Sequence, residues 1–549
     1  MDDGHLAGGT GGAAVQAPGA GTCPLGAAMP GATWPPRGFR HLFPAMSPPA
    51  PPAPADMTTR QRLAALAGAM QSVDPGDPAD DNPRIPAGYT YLLQFVAHDL
   101  VRSAAQLWAI PGRAREMRDL AVTRLRLDTL YGGGPAACPY AYMTAARARL
   151  RIEAIAPHAL DGAAAPPLRD IPRTRLDPAP RGWPAEKSLP LDEALLPDPR
   201  NDDNSNVSQM TVLFAAFHNA VVDLLGRAMA APLLRFAVAS EAVTLVYRRI
   251  LREDLLKRLL HEEVHARYAA PGAAFLEAGG DGLGRMPLEF CLGAFRCGHA
   301  MVRETYRINA ASVRDLGGIL RATSGGSAGA MPLSRHWVIR WSDFFAMPGS
   351  AMPEPNASRR LRPRHSPGLL DTEFFDAVDD TRRAGLAYRD LLGAGVAALH
   401  PVDALWDYLR RERPELARLS PLSDATARRA ALDAWLARAG VPAEHRGALA
   451  AAPPLPFYVL FEAEHDCAGL SLGALGSVIV AETMLGVLAR DPLPCEAGDG
   501  LAQALARLCN AAGVPAGVLA PLAEVADMAG LVGIAAAAPG IGASNPPFV

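Results

Sequence analysis

The stretch Gly88-Tyr-Thr-Tyr-Leu-Leu-Gln-Phe-Val-Ala-His-Asp-Leu100 decides how this 549-residue chain is interpreted. Its apolar residues recur at helical spacing, which predicts one amphipathic α-helix. This apolar stripe consists of Leu92, Phe95, Val96 and Leu100. Gln94 and His98 are four residues apart and therefore share another face of the helix. An amide and an imidazole among apolar neighbours suit the wall of a buried pocket, although a core histidine bonded to a carbonyl is the commoner cause of such a pattern.

The composition excludes several classes of protein. With 49% hydrophobic residues, the chain has enough apolar side chains to build a sizeable core. Its 53 basic and 56 acidic residues give a net charge of −3, which provides no bulk attraction to nucleic acid or anionic lipid. The seven cysteines contain no CxxC pair, so a disulfide framework is not expected.

The sequence also bears on location. The N-terminus has no basic segment followed by an apolar core, which a secretory signal requires. No run of about 18 uncharged apolar residues predicts a membrane span. We therefore expect a cytoplasmic protein without a nucleic-acid partner, while secretion by another route and the oligomeric state stay open.

Two regions differ in their organisation. Residues 1–57 are rich in Gly, Ala and Pro, and this predicts a disordered tail. Residues 58–549 are predicted to form one mainly α domain, because few stretches alternate with a period of two. Helices are predicted over 60–70, 88–100, 205–229, 232–268, 372–412, 421–450 and 471–489, and residues 286–307 are predicted to contain an apolar helix around His299.

A second polar block reads Leu196-Pro-Asp-Pro-Arg-Asn-Asp-Asp203 and precedes the helix predicted over 205–229. Its turn residues deliver an Arg and several acidic groups to the start of that helix, where negative charge is stabilised. Two explanations fit this block equally well. It could be a solvated helix cap, or it could point a cation, Arg200, into a cavity.

A third block reads Ala294-Phe-Arg-Cys-Gly-His-Ala-Met301. Gly inside a helix costs about 1 kcal/mol relative to Ala, so Gly298 suggests that something approaches the backbone closely. An imidazole on His299, space beside Gly298 and a cation on Arg296 together suit a haem, which needs an axial ligand and a partner for its propionate. A core histidine in a packed helix is still the commoner explanation of this block alone.

Taken in order, these blocks resemble the animal-type haem peroxidase family of the peroxidase–cyclooxygenase superfamily, in its bacterial branch. Residues 85–99 are similar to the distal-histidine block, and 198–204 with Phe217-His-Asn219 to the distal-arginine block. Residues 286–302 are similar to the proximal-histidine block. The resemblance is clearest over 58–490 and implies a helical domain with few short strands around a buried haem b.

The resemblance also implies roles for single residues. His98 corresponds to the distal acid and base, Arg200 to its cationic partner, and Gln94 to the distal amide. His299 corresponds to the iron ligand and Arg296 to a propionate partner. Asp203 stands where family members have a Glu that forms an ester with a haem methyl group. Asp390 stands where they have an Asn that accepts a hydrogen bond from the proximal imidazole.

Several residues depart from the family pattern. Ala97 replaces an Asp that bonds covalently to haem, so that link is impossible here, and Leu93 replaces a usual Gly. Asp203 is one methylene shorter than Glu, which makes the second covalent link doubtful. A calcium site at Asp99 and Asp128 is disfavoured, because Arg126 stands where an acidic ligand is expected and calcium needs six to eight oxygen ligands.

The resemblance therefore implies a peroxidase that reduces hydrogen peroxide and oxidises a small organic or halide donor. A fatty-acid dioxygenase of the same superfamily is the first alternative, although such enzymes carry a radical-forming Tyr where this chain has Arg296. The others are a non-catalytic haem-binding protein and a zinc metalloprotease, because His261-Glu-Glu-Val-His265 fits HExxH.

Overall fold

Helices dominate the part of the chain that the structure describes, as the sequence predicts. The computed structural model describes residues 38–49, 56–72, 74–102, 119, 121, 123–155, 168–174, 194–226, 228–276, 285–323, 333–349, 354–370, 385–498 and 500–537. Expectations for the rest of the chain, including the tail before residue 38 and the start of the helix predicted over 372–412, lie outside the described residues.

The α-helices share a core that extends from Phe39 to Ala536. In chain order they are α1 Met57–Ala69, α2 Gly88–Leu100, α3 Asp128–Tyr131, α4 Ser205–Leu225, α5 Pro232–Ile250, α6 Leu256–Leu259, α7 Glu262–Ala269, α8 Leu288–Cys291, α9 Leu316–Thr323, α10 Leu386–Val396, α11 Val402–Glu412, α12 Pro414–Ala417, α13 Ala425–Arg438, α14 Ala443–Ala451, α15 Leu455–Cys467, α16 Ala474–Arg490, α17 Leu501–Ala511 and α18 Met528–Ala536.

Short helices of other types connect these elements. The 3₁₀-helices are Pro78–Asp80, Pro139–Ala141, Pro199–Asp202, Ala294–Met301, Arg335–Trp337, Trp341–Asp343, Pro367–Leu370, Pro421–Ser423 and Ala516–Glu524. A π-helix, Leu251–Leu255, continues α5 into α6. The helix predicted over 232–268 is therefore a series of segments rather than one helix.

The strands are short and pair two by two. They are β1 Gly38–Arg40, β2 Asp81–Pro86, β3 Glu153–Ala154, β4 Arg169–Asp170, β5 Arg285–Pro287, β6 Thr305–Asn309, β7 Ser312–Asp315 and β8 Ala357–Arg359. β1 pairs with β5 in parallel, whereas β2 with β8, β3 with β4 and β6 with β7 are antiparallel. Because β1 and the buried Phe43 lie inside the predicted tail, ordered chain begins earlier than the predicted boundary at residue 57.

The opening helix α2 has the bounds that its periodicity predicts. Its first residue must be small, because a Cβ on Gly88 would lie 2.6 Å from the carbonyl oxygen of Phe344. α2 packs on α4 through Phe95 and Phe214, whose rings stack with centroids 4.9 Å apart. These contacts set which face of α2 is free to line a cavity.

The helix α4 is long and apolar enough to cross a membrane by length and composition alone. However, 89% of the apolar window is buried inside the fold, and a core helix passes the same test. Asn204 caps its first turn by accepting from the backbone N–H groups of Asn206 and Val207.

The apolar segment 286–307 includes the helix predicted around His299, which is a short 3₁₀-helix. The segment contains β5, α8, the 3₁₀-helix Ala294–Met301 and the start of β6. The 3₁₀-helix begins after Gly293, where a Cβ would lie 2.3 Å from the carbonyl oxygen of Glu289 and 2.5 Å from Leu455. Tertiary packing at this glycine therefore sets where the helix begins, and His299 sits on a 3₁₀-helix.

Candidate active site

A cavity of about 620 Å³ joins α2 to the 3₁₀-helix Ala294–Met301. Its size falls within the range of small-molecule and cofactor pockets. The predicted site residues along its walls are Gln94, His98, Arg200, Asp203, Arg296 and His299. Three blocks that are distant in sequence therefore meet at one cavity.

The proton of His98 can be placed from the surrounding hydrogen bonds. Its Nδ1 lies 2.8 Å from Oδ1 of Asn201. Nδ2 of Asn201 donates to the carbonyl oxygen and to Oγ1 of Thr129, at 3.1 and 3.0 Å. Because a carbonyl only accepts, the amide nitrogen must face Thr129 and the amide oxygen must face His98. The proton therefore sits on Nδ1, and Nε2 of this cavity residue keeps its lone pair.

The surroundings also keep His98 neutral. Burial, together with the positive charge of Arg200, lowers the pKa of His98 to about 4. The hydrogen bond to Asn201 and the charge of Asp198 oppose this shift without cancelling it. A neutral imidazole with a free Nε2 lone pair is available near pH 7 as a general base.

Arg200 is fixed at the C-terminal end of α2. Its Nε and Nη2 donate to the two carboxylate oxygens of Asp198, at 3.0 and 2.6 Å. Nη1 donates to the carbonyl oxygen of Val101 at 2.7 Å, and Nη2 to that of His98 at 2.8 Å. These four bonds leave one N–H of Nη1 without a partner among the described residues. The cation therefore reaches the cavity wall in a rigid position.

Gln94 and Asp203 form a second polar pair on the wall, with Nε2 of Gln94 3.5 Å from Oδ2 of Asp203. Burial raises the pKa of Asp203 to about 6. The positive charge of Arg200 opposes this shift, and the negative charges of Asp198 and Asp202 add to it. This carboxyl group is therefore divided between its protonated and ionised forms around that pH.

The imidazole of His299 is bonded to a carboxylate on α10. Its Nδ1 lies 2.6 Å from Oδ2 of Asp390, and Nε of Arg296 lies 3.7 Å from the other carboxylate oxygen. Burial opposes ionisation of Asp390, but His299, Arg296 and His365 hold its pKa below the usual value. The ionised carboxylate accepts the Nδ1 proton, which leaves Nε2 of His299 as a donor atom for a metal.

This set of residues fits a haem. An imidazole backed by a carboxylate is a strong axial ligand for iron. Nε of Arg296 lies 3.7 Å from Asp390 but is buried without a hydrogen-bond partner among the described residues, so the guanidinium at this wall can still donate to an anionic group such as a propionate. Gly298 has no side chain to fill the space at this wall, where a Cβ would lie 3.0 Å from Cδ2 of Leu93.

The predicted calcium residues do not fit calcium. The carboxylate oxygens of Asp99 accept from the backbone N–H groups of Leu127 and Thr129, at 3.0 and 3.4 Å. Oδ2 of Asp128 accepts from the N–H of Thr123 at 2.8 Å. Burial and the nearby charge of Asp128 raise the pKa of Asp99 to about 7. Carboxylates turned toward N–H donors anchor a loop instead of building an oxygen cage.

The second half of the distal-arginine block has a structural role. His218 is buried, with Nε2 2.8 Å from the carbonyl oxygen of Ala148 and Nδ1 3.1 Å from the hydroxyl of Tyr131. Asn219 exchanges two hydrogen bonds with the backbone of Leu150, at 2.9 and 3.0 Å. Both side chains fasten the segment around residue 150 to α4.

The HExxH segment lacks the geometry of a zinc protease. His261 is the N-cap residue of α7, with a ψ of 134°, and its carbonyl oxygen accepts from the N–H of His265 at 2.9 Å. Nε2 of His265 lies 2.8 Å from the carbonyl oxygen of Arg252. Within the described ranges, neither imidazole belongs to a group of three potential ligands. The described residues therefore offer no third metal ligand beside this segment.

Sequence reasoning missed two residues of this site. Asn201 positions His98, and Asp198 holds Arg200. Both lie within two residues of Arg200, in the 3₁₀ turn or just before it. The signal was present as a cluster of polar side chains around an Arg, but a solvated turn has the same composition.

Comparisons with known proteins address the fold. No protein-family model and no curated protein matches the sequence. Peroxidase A from Dictyostelium discoideum matches with a TM-score of 0.53 and 13% identity, over 94% of this chain and 95% of its own. A fatty acid alpha-dioxygenase from Arabidopsis thaliana matches with a TM-score of 0.55 and 13% identity, over 91% and 77%. The Oryza sativa fatty acid alpha-dioxygenase gives a TM-score of 0.50 and 11% identity, over 89% and 82%. This chain therefore shares its fold with these peroxidase and dioxygenase structures, which confirms the predicted resemblance at the level of fold.

Proposed function

We propose that this chain is a haem-dependent peroxidase, which reduces hydrogen peroxide and oxidises a small-molecule donor. One observation carries the proposal. A single cavity presents a neutral base of known tautomer, His98, beside a rigid cation, Arg200, and also the carboxylate-backed imidazole of His299. Base, cation and metal-ligand imidazole are the groups that cleavage of a peroxide bond requires.

The residues of the chain would act on the peroxide as follows. His98 accepts a proton from the entering peroxide at Nε2 and returns it to the departing oxygen, which leaves as water. Arg200 stabilises the negative charge that develops as the O–O bond breaks, through the N–H of Nη1 that is free of other described partners. Gln94 and Asp203 lie on the same wall and orient the entering molecule by hydrogen bonding.

When bound, haem b supplies the redox chemistry of the reaction, and the donor returns two electrons. His299 would hold the iron through Nε2, and Arg296 would meet a propionate. Asp390 keeps the Nδ1 proton of His299 in place, so Nε2 faces away from this bond. With Ala97 in place of an Asp, Asp203 is the carboxyl group on this wall that could form an ester with the haem.

A fatty-acid dioxygenase is the second candidate, and the apolar part of the cavity favours it. An acyl chain would suit the lining residues Leu100, Val101, Phe290, Phe295, Leu316, Leu320, Leu369 and Leu386. A variant of the Oryza sativa dioxygenase was solved with palmitic acid. Against this candidate, Arg296 occupies the position of the radical-forming Tyr, three residues before His299.

Absorption spectroscopy of the haem-loaded protein separates these possibilities. We expect a Soret band that changes on addition of equimolar hydrogen peroxide and returns when a phenolic donor is added. His299→Ala should lose the native band, whereas the control His265→Ala should keep both the band and its response. A Soret band that peroxide leaves unchanged supports a non-catalytic haem protein, and oxygen uptake with palmitic acid supports the dioxygenase.

A further inference from the structure

A second group of metal-ligating side chains lies outside the cavity. One ligand atom each of His41, Glu289 and His400 lies within 4.8 Å of the others. Nδ1 of His41 is 2.6 Å from Oε1 of Glu289, and the rings of His41 and His400 have centroids 4.5 Å apart. The side chains of His41 and Glu289 are 8% and 0% exposed, and His400 is 3% exposed. A carboxylate this deeply buried must be matched by protons or by a cation.

The fold brings these residues together from three segments. β1 and β5 pair in parallel with Arg40 opposite Pro287, so the residues that follow both strands emerge side by side. His41 directly follows β1, and Glu289 is the second residue of α8, which follows β5. His400 comes from the link between α10 and α11, and its backbone N–H donates to Oε1 of Glu289 at 3.2 Å.

We propose that His41, Glu289 and His400 bind one divalent transition-metal ion, with zinc as the representative. Two imidazoles and one carboxylate form a ligand set that zinc accepts, with water or a carbonyl oxygen in the fourth position. Calcium and magnesium are excluded by chemistry, since both take oxygen ligands and two of the three donors are nitrogens. Oε2 of Glu289 accepts from the N–H of Leu42 at 2.8 Å, which orients the carboxylate as an outer-shell bond does in metal sites.

The metal takes the place of a proton. Nδ1 of His41 and Oε1 of Glu289 are now 2.6 Å apart, as in a hydrogen bond. Tetrahedral ligands about 2.0 Å from zinc are roughly 3.3 Å from each other, so this pair opens by about 0.7 Å when the ion replaces the shared proton. Binding therefore releases a proton and strengthens as the pH rises.

The position of the site relates it to the cavity. Glu289 lies ten residues before His299, and His400 lies ten residues after Asp390. The proposed ion would therefore join the two segments that supply the His299–Asp390 pair, and attach both to the chain after β1. This inference does not depend on the proposed function, because the ligands lie outside the cavity lining.

The test uses the full chain without haem, after removal of metals with a chelator. Zinc titration by calorimetry, with metal analysis after dialysis, should give about one equivalent of zinc per chain and an increased melting temperature. Glu289→Gln and His41→Asn should each weaken zinc binding by at least about tenfold. The control His465→Asn, which removes an exposed imidazole paired with Asp466, should bind zinc as the native chain does.

The outcomes decide the proposal without reference to peroxide chemistry. His41→Asn is included because Glu289 is fully buried, and its substitution alone could impair folding, which circular dichroism would reveal. If the native chain retains no zinc, or if folded His41→Asn binds zinc as tightly as the native chain, the three side chains form a hydrogen-bonded cluster only. Cobalt substitution that gives the visible bands of a four-coordinate ion would support the ligand set further.

Discussion

Replacing Asn201 by Asp tests whether the neighbouring amide sets the proton position and the pKa of His98. In the native protein, Oδ1 of Asn201 accepts from Nδ1 of His98 at 2.8 Å. Asn201→Asp keeps an acceptor oxygen at this point and places a negative charge beside the imidazole. Asn201→Leu has a similar volume but offers no acceptor. The pair of variants therefore separates the charge of this neighbour from its ability to accept a hydrogen bond.

The expected magnitudes follow from the geometry. A carboxylate within about 4–6 Å of an imidazole raises the imidazole pKa by about 1–3 units. Since the native pKa of His98 is about 4, Asn201→Asp should bring it to between about 5 and 7. A base works in its neutral form, so the rate is lost as the pH falls through this pKa, and the acid limb should move to higher pH.

The Leu variant should behave differently. Nδ1–H of His98 would have no acceptor, and a buried donor without a partner costs about 1–3 kcal/mol. The imidazole would no longer be held with Nε2 as the base, so the rate should fall by about 10²–10⁴ at every pH. In both variants the carbonyl oxygen of Thr129 loses its donor, which adds to the loss of stability.

Stopped-flow measurement of the reaction between haem-loaded protein and hydrogen peroxide, across the acid range, gives the pH profile. Nitrogen NMR of the imidazole in haem-free protein gives the tautomer of His98 independently of activity. The matched control is Thr129→Ser, which keeps the hydroxyl that Asn201 contacts at 3.0 Å and should leave the profile unchanged. If folded Asn201→Asp keeps the native acid limb, or folded Asn201→Leu keeps the native rate, Asn201 does not set the pKa and tautomer of a catalytic His98.

Three further variants address other parts of the structure. Asp390→Asn should raise the Fe(III)/Fe(II) potential of the haem-loaded protein, because a neutral amide attracts the Nδ1 proton of His299 less strongly; an unchanged or lower potential in a spectroelectrochemical titration would contradict this. In the haem-free protein, the lowered pKa of Asp390 contributes to the free energy of unfolding. This contribution is complete above the pKa of about 3.9 in the unfolded chain, and it is lost as the pH falls through the lower pKa in the folded protein. Urea titrations of Asp390→Asn should therefore show a smaller loss of the free energy of unfolding in acid than those of the native protein. Leu93→Ala should lower the free energy of unfolding by about 2–5 kcal/mol, because this side chain is 2% exposed; a loss below about 1 kcal/mol would show that the site collapses around the smaller residue. His265→Ala should leave peroxide turnover at the native rate, because its Nε2 is bonded to a backbone carbonyl, and a large loss of turnover would reopen a role for the HExxH segment.

Some elements could be predicted because their information is local. α2 has the predicted bounds, since its apolar stripe and its first glycine lie within thirteen residues. Within 286–307, a helix around His299 was predicted, but its 3₁₀ type and its start after Gly293 were not, because the close contacts at Gly293 involve Leu455, which is distant in sequence. The early strand β1 was missed for a similar reason, because its partner β5 lies more than two hundred residues away.

The sequence by itself determined that Gln94 and His98 share a helix face, since helical periodicity depends only on spacing. Through resemblance, it also predicted the fold, and which blocks would meet. Only the tertiary structure decided the chemistry of His98, because its tautomer depends on Asn201, 103 residues away, and its pKa depends on burial and on Arg200. Burial and long-range hydrogen bonds arise when distant segments pack together, and no local pattern of residues contains them.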